Sequence, residues 1–334
     1  MIMPPRIAPG TVVAILGDDL ADGTVSAEPG AQVLPRELGG VQVYFDGIRA
    51  PLYMVSPTEI RAQIPVEVSD AQSTNAVVRT VGRNGVRVSA AISVPIVPYA
   101  PGIFAVEGVT DPRPAIVTHS SSRATALLNV DGVVNGGDRA TITVDGRPYT
   151  YIVQEGDSLA TIRDALILLL NQDPAVEAVV AGTFHRIRLQ SRLEGPAGNG
   201  IPVSASVSDA ASLVLGFTNT QLCCANVAGA LVTTRNPALP GEQIAITATG
   251  LGLVDGDAAR DAQKTGIAYT GPAANDATEF VSSLVGGRTA NVVKAGLKPG
   301  TVGLYEVILE LNTDVPTNPA TQATIAQGRF VSNI

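Results

Sequence analysis

The chain has few aromatic side chains: seven tyrosines, six phenylalanines and no tryptophan make up 4% of its 334 residues. Binding surfaces for single-stranded nucleic acid, and the usual sugar-binding faces, depend on exposed aromatic rings. The charge points the same way, because a chain with a net charge of -8 and no cluster of lysine and arginine is poorly suited to neutralise phosphates. We therefore expect no nucleic-acid partner.

Long hydrophobic runs are also missing. No segment approaches the roughly 20 consecutive apolar residues of a membrane-spanning helix, and the longest candidate is residues 165–170. We expect no membrane span. The opening residues 1–6 lack the apolar core of a secretory signal, so either export is not encoded here or the chain is a mature or trimmed product.

Cysteine and histidine are scarce, with two of each in the chain. The cysteines are neighbours, Cys223 and Cys224, so they cannot cross-link separate domains. We favour two reduced or partly buried thiols, while a vicinal disulfide or a bridge to another chain stays open. Metal binding is not expected, because His119 and His185 are isolated in sequence.

No arrangement typical of an active site is found. His119 lies in the polar stretch 118–122, where we interpret it as a solvated linker residue, and we interpret His185 as a surface residue. A Gly-x-Ser-x-Gly turn is missing, and the glycine-rich segment 250–252 lacks the lysine of a phosphate-binding loop. The sequence therefore predicts a protein that is not an enzyme and has no cofactor.

Two groups of aspartates occupy corresponding loops in the two halves of the chain. Such carboxylates are candidate Ca²⁺ ligands, but neither group follows the twelve-residue EF-hand pattern. Aspartate is also an ordinary turn residue, so we favour solvated loops and keep calcium as the weaker interpretation. The residues are Asp18, Asp19 and Asp22 in the first group and Asp255, Asp257 and Asp261 in the second.

Glycine and proline are abundant, with 34 and 23 residues, and 45% of the chain is apolar. This mixture is typical of short strands joined by turns, and the length allows two or three domains. The pairs Asp46-Gly47 and Asn84-Gly85 predict tight hairpins. Alternation of apolar and polar residues, the pattern of half-buried strands, is found in residues 60–64, 76–81, 86–94, 302–311 and 323–330.

The two ends of the chain share an order of motifs. A turn, a strand and a second turn in residues 9–20 recur in residues 240–251. A strand, a glycine turn and an alanine in residues 41–50 recur in residues 284–290, and each half then has a proline before an alternating strand. The matching order indicates an internal duplication.

The fold class predicted from these patterns is mainly β, with two Ig-like β-sandwich domains flanking a small inserted α+β domain. The expected boundaries are a first sandwich at 1–106, a linker at 107–133, the inserted module at 134–222 and a second sandwich at 227–334.

A set of short motifs runs through both sandwiches. The motifs are residues 39–47, 50–57, 60–65 and 100–104 in the first, and residues 240–241, 248–252 and 299–305 in the second. Together they resemble an uncharacterised family of paired Ig-like domains at the C termini of large secreted proteins, common in acidobacteria. The resemblance implies a surface-exposed sandwich protein without established catalytic residues, and the long middle insertion departs from that pattern.

The middle of the chain has a different pattern of predicted elements, with a helix between strands. A hairpin of residues 140–144 and 149–153 is expected across Asp145-Gly146, and strands are expected at 176–180 and 186–190. Between them, a helix is predicted from Ser158 to Asn171, with Asp157 or Ser158 as its N-cap. Its apolar face is predicted to consist of Leu159, Ile162, Leu166, Leu169 and Leu170.

Two resemblances are open for this module. Residues 149–159 resemble the opening of the LysM glycan-binding module, but a LysM has a second helix where strands are expected here. The fuller pattern, including residues 195–201, is similar to small α+β modules inserted into bacteriophage tail and other surface-assembly proteins.

The leading functional hypothesis is a non-enzymatic structural or adhesive protein outside the cell or on its surface, or a subunit of a filament or other assembly. Its expected partners are other subunits or surface components, including further copies of itself. Ile167 and Leu168 widen the apolar surface of the helix and are the candidate interface residues. The alternative is a module that binds peptidoglycan-type glycans, carried on Ig-like spacers.

Overall fold

The computed structural model is mainly antiparallel β-sheet, with two α-helices among the residues it describes, and the prediction of a mainly β fold is confirmed. No helix in its described part is long and apolar enough to cross a membrane. The predicted strand at 323–330 and the turn residue Asn84 lie outside the described residues. Those residues are 6–83, 85–108, 113–181, 184–233, 235–239, 241–279, 281–285 and 288–311.

The described part of the first domain has nine strands and a short 3₁₀ helix at Val66–Val68. The strands are β1 (Val12–Leu16), β2 (Val25–Ser26), β3 (Val41–Phe45), β4 (Ile48–Arg49), β5 (Leu52–Val55), β6 (Glu59–Gln63), β7 (Ser73–Gly82), β8 (Gly85–Val88) and β9 (Ile92–Pro95). One sheet has the order β1-β6-β5-β2. The other has the order β4-β3-β7-β8, with β9 also paired to β7.

The two sheets of the first domain enclose a single apolar core, as expected for a sandwich. Val43 and Phe45 enter it from one sheet, and Leu52 and Ile60 enter it from the other. The predicted hairpin turn at Asp46-Gly47 is confirmed, because both residues have positive φ (45° and 84°) and join β3 to β4.

Two short strands follow, β10 (Gly102–Ile103) and β11 (Val117–His119), and both pair with the later strand Gln243–Thr249. Residues 123–132 then form a long strand of the middle module. The prediction of a linker over 107–133 was therefore wrong for β11 and for residues 123–132. In residues 123–132 partly exposed residues alternate with buried ones, as in a strand with one covered face.

Over its described residues, the middle module has two sheets and one α-helix around a single core. Its elements are β12 (Arg123–Gly132), β13 (Arg139–Val144), β14 (Arg147–Ile152), α1 (Leu159–Leu170), β15 (Val176–Val180), β16 (Arg186–Glu194), the 3₁₀ helix Gly195–Gly198, β17 (Val203–Val207) and β18 (Leu213–Phe217). The sheet orders are β15-β16-β12-β18 and β14-β13-β17. The predicted hairpin across Asp145-Gly146, the strand pair β15 and β16, and the helix are confirmed, whereas β12, β17 and β18 were not predicted.

Helix α1 begins at a capping box. The Ser158 side chain accepts the Thr161 amide at 3.2 Å, and the Thr161 hydroxyl accepts the Ser158 amide at 2.9 Å. The helix buries Ile162, Leu166 and Leu170 in the module core. The prediction that Leu169 is equally buried was wrong, because Leu169 sits at the margin of this narrower face and is only partly covered.

The last domain contains α2 (Asp257–Ala262) and one sheet. The strands are β19 (Gln243–Thr249), β20 (Ser283–Val285), β21 (Arg288–Leu297) and β22 (Tyr305–Glu310), in the order β10-β19-β22-β21-β20 with β11 also on β19. Its core lies on one face, where Ile246 of β19 packs with Tyr305 and Val307 of β22. A second, facing sheet is not present within the described residues of this domain.

The first and last domains touch directly. Oε1 of Gln63 accepts the Gly266 amide at 2.7 Å, and Oγ1 of Thr265 accepts the Val66 amide at 2.9 Å. Gln63 and Thr265 are buried, so these bonds lie inside a closed interface. A small apolar cluster completes it, made of Leu34, Ala268 and Val302 with Ala27, Ala31 and Tyr53 at its margin.

Candidate functional site

His119 is buried, which corrects the prediction of a solvated linker histidine. It ends β11, which pairs with β19, and the amides of Ser120 and Ser121 after it donate to the Gln243 carbonyl. Its Nδ1 contacts Oε1 of Glu242, and its Nε2 lies 3.2 Å from the carbonyl oxygen of Asn236. A carbonyl only accepts hydrogen bonds, so Nε2 must carry a hydrogen in this geometry.

Glu242, the partner of His119, is buried as well. Burial raises the pKa of its carboxyl group, although hydrogen bonds from His119 and from the Leu239 amide act in the opposite direction. Because solvent reaches neither side chain, a substrate has no access to the pair. We interpret the contact as a buried hydrogen bond that holds β11 against the start of β19, not as an acid-base site.

The first group of aspartates contains one residue bonded within the fold and two exposed residues. Asp22 binds the Arg87 side chain at 2.9 Å and accepts the Arg83 amide at 2.5 Å, and these bonds, with the amide contribution largest, lower its pKa. Asp18 and Asp19 lie exposed on the preceding turn. Because its carboxylate is bonded to Arg83 and Arg87, Asp22 joins the loop to β8.

Two aspartates of the second group lie just before α2 and in its first turn. Oδ1 of Asp255 accepts the Gly256 amide at 2.9 Å, and Asp257 lies in the first turn of α2. Among the residues that the structure describes, no group of three histidine, cysteine or acidic side chains is placed to hold a metal ion. Solvated loops, with calcium as the weaker interpretation, therefore stay a prediction for these positions.

Asp173 is a buried carboxylate in the middle module. Its oxygens accept bonds from Arg147 at 2.8 and 3.2 Å, from the Tyr149 hydroxyl at 2.7 Å and from the Ala175 amide at 2.7 Å. Burial alone would raise the pKa of Asp173, but these donors together hold it below the ordinary value. The cluster joins the end of α1 to the hairpin of β13 and β14 and is a structural feature.

Cys223 and Cys224 form a vicinal disulfide. The favoured prediction of two reduced thiols was therefore wrong, and the disulfide, the weaker alternative, is present. Cys224 is buried and has a φ of 78°. Cys223 exchanges backbone hydrogen bonds with Thr125 at the start of β12. The disulfide therefore lies where the chain leaves the middle module.

The two candidate interface residues of α1 differ in exposure. Ile167 is partly buried and packs against the module core, so it contributes to the fold. Leu168 is 71% exposed and lies outside the core. Only Leu168 keeps the free apolar surface that an interface residue requires.

A second exposed apolar surface lies on the hairpin of β7 and β8, at the edge of the first domain. Val81 pairs directly with Val86, and both point away from the core together with Val88. Val86 is 58% exposed and Val88 is 62% exposed. We call Val81, Val86 and Val88 the valine edge. These strands were predicted from the sequence, but the exposed face of their hairpin was not.

The glycan-binding alternative gains no support from the module's architecture. A LysM has two helices between its strands, whereas α1 is the one α-helix in the described part of this module. No protein-family model matches the chain, and no curated protein sequence matches it either.

Proposed function

We propose that this protein is a non-enzymatic structural or adhesive component outside the cell that associates with further copies of itself or with other surface proteins. The observation that carries the proposal is the valine edge. Within the residues that the structure describes, β8 has a strand partner on one side only, and the hairpin that it forms with β7 carries three exposed valines. Such an edge favours strand addition by a partner chain unless it is shielded.

The hydrogen bonds of the buried carboxylates support a structural role for the protein. The buried carboxylates of Asp173 and Glu242 have all their described partners within the fold. Both belong to contacts between neighbouring elements of the fold. This pattern is typical of polar groups that fix a fold.

The vicinal disulfide supports the location outside the cell. Disulfides persist in oxidising compartments and are rare where glutathione and thioredoxin keep thiols reduced. The bond between Cys223 and Cys224 is therefore more readily explained in an exported protein.

The experiment compares the native protein with Val86→Lys/Val88→Lys by light scattering at increasing protein concentration. If the valine edge mediates association, the native protein grows in mass with concentration and the lysine variant remains smaller. Val214→Lys on β18 is the matched control, since Val214 is an exposed valine outside the edge. Equal masses for the native protein and the Val86→Lys/Val88→Lys variant would reject the valine edge as the contact surface.

A further inference from the structure

The vicinal disulfide lies in a segment that hydrogen bonds hold on both sides. Before it, the Leu222 amide donates to the Ile201 carbonyl at 2.8 Å. After it, the Asn199 side chain accepts the Ala225 amide at 2.9 Å and donates to the Ala225 carbonyl at 3.0 Å. Both ends of the segment are therefore bonded to residues 199–201, and a change in the backbone between them has to be absorbed by these contacts.

Within this segment, Cys224 has a backbone conformation that is uncommon for its residue type. Its φ of 78° is in the left-handed region, which residues with a Cβ atom rarely occupy because Cβ approaches the following carbonyl oxygen. The disulfide joins Cys224 to its own neighbour, so the bond limits the φ and ψ values that the pair can adopt. Breaking the bond removes this limit, and we expect Cys224 to shift towards negative φ.

The two cysteines differ in access to solvent. Cys224 is buried, whereas Cys223 is partly exposed, so Cys223 is the residue that a thiol in solution reaches. The side-chain amide of Asn219 donates to Sγ of Cys223 at 3.6 Å. A hydrogen bond to sulfur stabilises the thiolate, which is the form that Cys223 takes when it is displaced from a disulfide.

We propose that Cys223 and Cys224 form a redox-active site that reacts with dithiols, and that its reduction loosens the junction between the middle module and the last domain. A thiolate of the dithiol attacks Sγ of Cys223 and forms a mixed disulfide, while the Sγ–Sγ bond breaks with its electron pair on Cys224. The second thiol of the dithiol then displaces Cys223. The dithiol becomes a disulfide, and its two protons and two electrons leave the protein with two thiols.

The residues that follow the disulfide connect its reduction to the junction. The Asn226 amide donates to the Ser121 carbonyl at 2.9 Å, and the Gly229 amide donates to the His119 carbonyl at 2.8 Å. These bonds join the exit of the module to β11, which pairs with β19 of the last domain. A change of φ at position 224 therefore acts on the contacts that hold the module in place. The inference does not rest on the function proposed above.

The test is amide hydrogen exchange of the full-length protein, followed by NMR, with and without dithiothreitol. The proposal predicts that the amides of Cys223, Ala225 and Asn226 exchange about fivefold faster or more after reduction, because the left-handed conformation is disfavoured by that order. Cys223→Ser/Cys224→Ser should show the fast exchange in both conditions. Cys223→Ser/Cys224→Gly is the matched control and should exchange more slowly than the double-serine variant, since glycine adopts positive φ readily.

Protection of β13 and β14 reports in every sample that the middle module is folded, and thiol titration of the folded protein after treatment with dithiothreitol should find two thiols. A folded protein that releases no thiols would overturn the redox-active site. Equal exchange of the three amides in the oxidised and the reduced protein would overturn the effect on the junction. Equal exchange of the double-serine and serine-glycine variants would overturn the role of φ at position 224.

Discussion

Thr125 and Cys223 exchange two backbone hydrogen bonds, of 3.0 and 3.1 Å, although they lie at opposite ends of the middle module. Next to this pair, the Asn226 amide binds the Ser121 carbonyl at 2.9 Å. The chain therefore enters and leaves the module at neighbouring points. An insertion with adjacent ends is the arrangement in which a module can be removed while its host remains folded.

Deleting residues 123–225 should leave the first and last domains folded, because the cut follows the ends of the module core and keeps β11 on β19. Deleting 134–222, the boundaries expected from sequence, should be harmful, since it leaves β12 without either of its strand neighbours. Circular dichroism melting of both variants checks this. Cooperative melting of the 134–222 deletion together with unfolding of the 123–225 deletion would contradict these boundaries.

Leu166→Ala should destabilise the middle module by roughly 2 to 5 kcal/mol, because a fully buried side chain is removed from a closed core. Leu168→Ala is the matched control on the same helix and should change stability by less than about 0.5 kcal/mol. Denaturant unfolding measures both. A comparable loss for the two variants would mean that Leu168 is covered in solution by a partner or by another part of the chain.

Acid should weaken the middle module through Asp173. Its pKa is lowered in the fold, so its contribution to stability is present above the ordinary value near 4 and is lost as pH falls through the lower folded value. Asp173→Asn should cost about 2 kcal/mol near neutral pH, because the charged hydrogen bonds from Arg147 are weakened. The stability difference between the native protein and this variant should therefore shrink as pH decreases below 4. A difference that stays constant down to pH 2 would show that Asp173 does not titrate in this way.

Reducing the vicinal disulfide should have a small effect on stability. It closes a loop of only two residues, so the loss of chain entropy in the unfolded state corresponds to about 1 kcal/mol. Cys223→Ser/Cys224→Gly should be more stable than Cys223→Ser/Cys224→Ser, because glycine adopts the positive φ of position 224 readily. Thiol titration with and without a dithiol reductant checks the bond itself, and two titratable thiols in the unreduced, unfolded protein would contradict it.

Local patterns in the sequence were sufficient for the elements whose signals are close in the chain. The Asp145-Gly146 hairpin has its turn residues and both strands within a short segment, and α1 has its N-cap beside its apolar face. In each case the residues that determine the structure are near neighbours.

The features that sequence reasoning missed depend on distant residues. Nothing near His119 indicates that Glu242 buries it, because the two meet only when β11 pairs with β19. The exposure of Val86 and Val88 depends on which face of the sheet packs on the core of the first domain. Strand pairing and sheet packing are set by the whole fold and cannot be read from a local pattern.

Light scattering of the native protein over a wide range of concentrations tests the proposed assembly role most directly. The proposal predicts a mass that rises with concentration, and electron microscopy of the most concentrated sample should show regular multi-copy particles. The valine edge and Leu168 remain exposed on a single copy, which is the physical reason to expect association. A strictly monomeric mass at every concentration, with only single-copy particles in the micrographs, would contradict self-assembly.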